Sequence, residues 1–218
     1  MTFPNSSETP ASGGTIATHI QNAKEAQAVV PTDESGHIVG SVPVYRLFVP
    51  AGAAGAGKVF FDLFNATGSG KTLKILSVMP IVSGAVAVTG LVAVDLFLTR
   101  TTAIGTTGTA AAAESAALTA TPSLSKMNPA DAALPAGVTA RLAPGGGATA
   151  GAVISFDSLS TEETNAGTYL SSVCDLVARM LGGYSTPLFV PENTGIRVVQ
   201  GAVASVGNIG FDVIFAAV

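Results

Sequence analysis

The run Gly68-Ser69-Gly70-Lys71-Thr72 has the residue types of a phosphate-binding loop. Glycine backbone would wrap the anion, lysine would meet its charge, and a hydroxyl would hold magnesium. The spacing denies it. Such a loop carries another glycine five positions before the one preceding its lysine, and Asn65 stands there. The next residues, Leu73-Lys-Ile-Leu-Ser-Val78, alternate like a strand and open no helix whose N-terminus would complete the cradle. The run therefore reads as a polar turn. The two histidines, His19 and His37, both fall in a polar N-terminal stretch. Asp33, Glu34 and His37 are near enough to share a cation weakly, but Thr32-Asp-Glu-Ser-Gly-His37 is turn chemistry, with Asp and Ser bonding back to the backbone and Gly36 supplying positive φ. Cys174 is the single cysteine, so there is no internal disulfide and no multi-cysteine metal cluster. It sits in an apolar stripe with Leu170, Val173, Val177 and Leu181 and reads as a small buried hydrophobe. Glu162 and Glu163 follow Ser160 and Thr161 at the spacing of a helix capping box, where acidic groups favour the helix dipole. No catalytic, cofactor-binding or metal-ligating residue is assigned, no cofactor is expected, and the chain reads as a non-enzyme.

The elements around these residues read as strands. From Val42 onward short apolar runs are broken by glycine and proline, which is the all-β pattern. Expected strands cover 42–49, 58–64, 71–79, 91–98, 138–142, 152–157, 187–190, 196–199 and 209–216. In Lys58–Phe64 both faces carry large apolar groups, so this strand should be an inner one. Residues 58–64 and 71–79 are read as a hairpin, with a longer crossover as the alternative. The twenty uncharged residues Ile75 to Val94 are long enough to span a bilayer as a helix. Pro80, Gly84, Gly90 and the valine content favour two buried strands joined by a turn near Ser83-Gly84. Residues 101–150 are rich in Ala, Thr, Gly and Pro and read as a long low-complexity excursion, with a helix at 109–118 disfavoured for want of large apolar side chains. One helix is expected at about 168–181, stopped by Gly182-Gly183. The expected architecture is an all-β antiparallel sandwich at 41–218, jelly-roll-like, with one short helix and long loops, behind an extended N-terminal arm at 1–40.

Composition narrows the function classes. Of 218 residues only 11% are charged, 48% are apolar and 6% aromatic. A wholly disordered chain is excluded by this apolar content. The net charge is −4 and the ten Lys and Arg are scattered singly, which argues against a nucleic-acid footprint. The first residues lack a basic and then apolar leader pattern, so a cleaved secretory signal is not expected.

Three segments together resemble tailed-bacteriophage virion proteins: Val30-Pro-Thr-Asp-Glu-Ser-Gly-His-Ile38, Lys58 to Ile75, and Pro191-Glu-Asn-Thr-Gly-Ile-Arg-Val198 followed by Ile209 to Phe215. The resemblance implies a jelly-roll-like subunit located in the virion and made in the host cytoplasm. It would decorate or cement a capsid, partnered by the major capsid protein or other virion proteins and by itself as a homo-oligomer such as a trimer, with no direct nucleic acid and no membrane. It carries over no catalytic residue. Two alternatives stand beside it: a phage tail or fibre component binding a host glycan, and a membrane-embedded protein spanning at 75–94. Low charge and small residues suit a subunit whose surface is buried against copies or a lattice.

Overall fold

The computed structural model describes residues 19–21, 24–26, 42–83, 92–114, 121–146, 150–161, 175–181, 188–203 and 207–218. Two compact units result, Met1–Val42 and Pro43–Val218. In the first, β1 (His19–Gln21) and β2 (Lys24–Ala26) pair antiparallel with His19 opposite Ala26. The turn expected at 32–37 lies outside the described residues.

The second unit is a sandwich of two sheets. Its strands are β3 (Val44–Ala53), β4 (Val59–Asn65), β5 (Leu73–Ser83), β6 (Val92–Thr101), β7 (Thr109–Ala110), β8 (Ala112–Ala113), β9 (Ser123–Lys126), β10 (Val138–Leu142), β11 (Ala150–Thr161), β12 (Leu188–Val190), β13 (Thr194–Gln200) and β14 (Asn208–Ala217), with helix α1 (Leu176–Leu181) before β12. One sheet runs β11-β6-β13-β4-β10-β7 and the other β12-β5-β14-β3-β9-β8. With the excursion strands β7 to β10 set aside, each sheet has four antiparallel strands, and of the eight only β6 and β11 are both consecutive and in the same sheet. This order is that of two interlocked Greek keys, a jelly roll. The all-β sandwich read from the sequence is the observed fold.

The hairpin expected between 58–64 and 71–79 is not formed. β4 pairs with β10 and β13, whereas β5 pairs with β12 and β14, so the chain crosses from one sheet to the other at 66–72. The same holds for 75–94: β5 and β6 are both strands, as expected, but they belong to opposite sheets. Their junction at 84–91 lies outside the described residues. Alternation tells which face of a strand is apolar and not which neighbour it pairs with, and both inner faces here are equally apolar.

The core lies between the sheets. Phe211 of β14 is fully buried and meets Phe60 and Phe61 of β4 at ring-centre distances of 5.3 and 5.4 Å, while Tyr45 stacks on Phe215 at 5.6 Å. All of 60–65 is buried, which makes β4 the inner strand its two-faced pattern predicts. The described residues of the excursion at 101–150 are tied to the sandwich at several points. The Tyr45 hydroxyl donates toward the carbonyls of Ala132 and Ala133, and the Val44 amide donates to Asp131. Residues 109–113 form two dipeptide strands and no helix, while β10 falls on the predicted 138–142.

The helix is shorter than expected at 176–181, and residues 168–174 lie outside the described residues. Its N-cap is Asp175, whose Oδ1 accepts the amides of Val177 at 2.8 Å and Ala178 at 3.3 Å. The same oxygen accepts the Val78 amide of β5 at 3.1 Å, beyond the reach of β12, which pairs only with residues 73–75. One carboxylate thus caps the helix and satisfies an open strand edge.

Candidate functional site

Loop 66–72, which carries β4 into β5, meets the turn Pro191–Asn193 that carries β12 into β13. Buried Asn65 underlies both. Its Nδ2 donates to the carbonyls of Lys71 at 2.8 Å and Val190 at 3.1 Å, and its backbone carbonyl accepts the Asn193 amide at 2.7 Å. The Thr67 hydroxyl adds a hydrogen bond to Asn193 Oδ1. Above this base, Gly68 and Gly70 have φ of 87° and 65°, backbone that turns successive amides toward one point. That point holds the carboxylate of Glu192, whose Oε1 accepts the Gly70 amide at 2.6 Å and the Ser69 hydroxyl at 3.1 Å. The amides of Gly70 and Gly68 are the largest influences holding this carboxyl below its ordinary value.

The residues that look like a phosphate loop do form an anion cradle. Its anion is the chain's own Glu192, and a strand follows the loop. Replacing Glu192 by Gln removes the charge while keeping the shape, and its effect depends on pH. A carboxyl with a lowered folded-state pKa stabilises fully above its unfolded value, and that contribution is lost as pH falls through the folded pKa. The melting temperature of Glu192→Gln should therefore lie below wild type above the ordinary glutamate value of 4.5, with the gap closing on acidification. Melts of both proteins between about pH 3 and 7 check this. A gap independent of pH would refute it.

A second polar cluster is buried between β4 and β13. Arg197 of β13 stands opposite Asp62 of β4, and its Nε and Nη2 donate to the two carboxylate oxygens at 2.9 and 3.0 Å. The Gly105 amide donates to Asp62 Oδ2 at 2.8 Å, and Asp62 has no exposed surface. Gly105 is required, because a Cβ there would lie 2.5 Å from Pro144 Cβ. This pair fastens residues 102–108 and 143–146 over the outer face of the sheet. Both side chains are buried, and the hydrogen bonds between them are made within the fold.

The third feature is a groove of about 320 Å³ between the β7–β10 and β8–β9 edges, walled by Ile104, Ala110, Leu124, Leu134 and Val138, with Arg141 also in its lining. Its described lining holds no His, Cys, Asp or Glu, and Thr139 and Arg141 are its polar members.

Of the residues weighed from the sequence, Gly68, Ser69 and Gly70 form the cradle, Thr72 pairs with Val218, and His19 lies in β1 of the first unit. Asp33, Glu34, His37, Glu162, Glu163 and Cys174 lie outside the described residues. Sequence reasoning missed Glu192 as the occupant of the cradle and missed the Asp62–Arg197 pair. The signal for the pair was present: Asp62 and Arg197 are the only charges in β4 and β13. Among the described residues no group of three or more His, Cys, Asp or Glu could hold a metal ion, and no helix is long and apolar enough to cross a membrane. No protein-family model, no curated protein and no solved structure matches the chain.

Proposed function

We propose that this chain is a non-enzymatic structural subunit of a virus particle, a decoration or cement protein of a tailed-phage capsid. The observation that carries the reading is the jelly-roll strand order, an architecture used repeatedly in viral capsid and lectin domains. The polar clusters support it, because the cradle and the Asp62–Arg197 pair both commit their hydrogen bonds to the fold itself. In this reading the sandwich is the body, residues 1–40 form the docking arm, and the excursion at 101–150 shapes the surface. The strand order also suits the fibre alternative, since lectin domains share it, but the groove beside β7 and β10 has no aromatic ring among its described lining residues on which a sugar would stack.

The test uses particles produced from the genome that encodes the chain. The protein should band with them in a density gradient at many copies per particle, and deletion of residues 1–40 should leave the body folded while abolishing that association. Absence from purified particles would refute the reading, and full occupancy by the truncated protein would refute the role of the arm.

A further inference from the structure

The outer face of the sheet that contains β11, β6 and β13 carries a patch of mixed character. Leu96 and Leu98 of β6 are buried between the sheets, so the alternating residues Asp95 and Phe97 point outward. Pairing places Phe156 of β11 and Val199 of β13 on either side of Phe97. One step along the strands, Ser158 lies opposite Asp95 on one side, and on the other the Gly201 amide donates to the Asp95 backbone carbonyl at 2.8 Å. An apolar row of Phe156, Phe97 and Val199 therefore runs beside a polar row of Ser158, Asp95 and Gly201. With strands about 4.8 Å apart and two residues spanning about 6.8 Å, the patch measures roughly 10 by 7 Å.

Each row offers a surface to a ligand. Phe156 is 45% exposed, and Phe97 holds its ring from the side, with ring centres 5.0 Å apart and planes 35° from parallel. In the polar row the Ser158 hydroxyl donates to Asp95 Oδ1 at 2.8 Å and fixes the carboxylate, while Oδ2 accepts no hydrogen bond from the described residues. Gly201 keeps the place beside it open, because a Cβ there would lie 3.1 Å from Asp95 Cβ and 3.2 Å from Phe97 Cε2. In the opposite direction along the face the next residues, Arg197 and Thr99, are buried, so the patch begins where the cover of this sheet ends.

We propose that this patch binds a neutral carbohydrate, with a sugar ring lying on Phe156 and Phe97 and its hydroxyls donating to Asp95. A pyranose joins an apolar C–H face to hydroxyl donors around its rim, and the two rows match these at adjacent places. Charge chooses among ligands. Asp95 is the only charged residue of the six, so an anion meets repulsion here and no cation to hold it. This goes beyond the subunit reading, since it gives the chain a surface for a glycan whether or not a particle carries it.

Saturation-transfer NMR on the full chain tests it, with neutral trisaccharides of glucose, galactose, mannose and N-acetylglucosamine at up to about 10 mM, a range that reveals millimolar binding. At least one should bind, and the Phe156 and Phe97 ring protons should shift as it is added. Phe156→Ala and Asp95→Ala should each weaken that binding at least about tenfold. Phe189→Ala, an exposed ring on the other sheet, should leave it unchanged. Circular dichroism identifies a variant that misfolds, and the ring-proton shifts of the wild type then decide. No binding of any of the four sugars, binding that either substitution leaves undiminished, or ring protons that stay unmoved would overturn the proposal. So would a mass above the 21.6 kDa of one chain that Phe156→Ala abolishes while no sugar binds, which would make the patch a contact between copies. Failure here leaves the subunit reading standing, and absence of the chain from particles would refute that reading while the sugar binding stays measurable.

Discussion

Replacing Arg197 by Met should destabilise the protein by about 3–5 kcal/mol, because it strands the Asp62 carboxylate in a fully buried site. The guanidinium supplies two of the three donors that Asp62 receives, and the Gly105 amide alone cannot solvate the charge. For a chain of this size such a loss lowers the melting temperature by on the order of 10 °C. The informative comparison is with the double variant Asp62→Leu, Arg197→Met. A buried ion pair is often replaceable by apolar side chains of similar volume, so the second substitution should restore most of the stability. It should not restore all of it, since the Gly105 amide loses its acceptor, at about 1–3 kcal/mol. Melts of the three proteins at neutral pH measure this. If the double variant is as unstable as the single one, the pair stabilises the fold by more than its own electrostatics and this account is wrong.

Phe211→Ala should cost a similar amount, about 3–5 kcal/mol, for an apolar reason. The ring lies between the sheets against Phe60 and Phe61, and the backbones that frame it are fixed by pairing on both sides of β14 and β4. A site framed in this way collapses little when the ring is removed, so the cavity persists. Phe211→Leu keeps more of the volume and should lose roughly a third as much. Denaturant unfolding, with the slope unchanged and the midpoint shifted, checks both variants.

How far the fold was legible depends on what each signal reports. β10 at 138–142, the strand Val59–Asn65 and the closing strand around 209–216 were readable because their side chains alternate against a core, a property of the strand itself. The pairing partners were not readable, because 66–72 serves a hairpin or a crossover equally well until Asn65 is seen holding Lys71 and Val190 together. The dipeptide strands β7 and β8 have too few residues to show a period, and a backbone bond from Ala111 to Ala140 fixes their place. The cradle was half legible. Its glycines and lysine stand out as a motif, but the carboxylate that fills it is more than a hundred residues away in sequence.

The central positions of the two sheets have a consequence for the order of assembly. β13 lies between β6 and β4, and β14 lies between β5 and β3, so the last two strands among the described residues supply the middle of each sheet. Until they are synthesised, β3 and β5 have no common partner, and neither do β4 and β6. Partners this distant in sequence make folding slow, and they leave apolar strands exposed while the chain waits. Before β13 and β14 emerge, the chain can make only the outer pairings, among them β11 with β6 and β10 with β4 in one sheet and β12 with β5 and β9 with β3 in the other. A ribosome-bound intermediate lacking β13 and β14 should be a chaperone client, and the sandwich should close only once both strands are available.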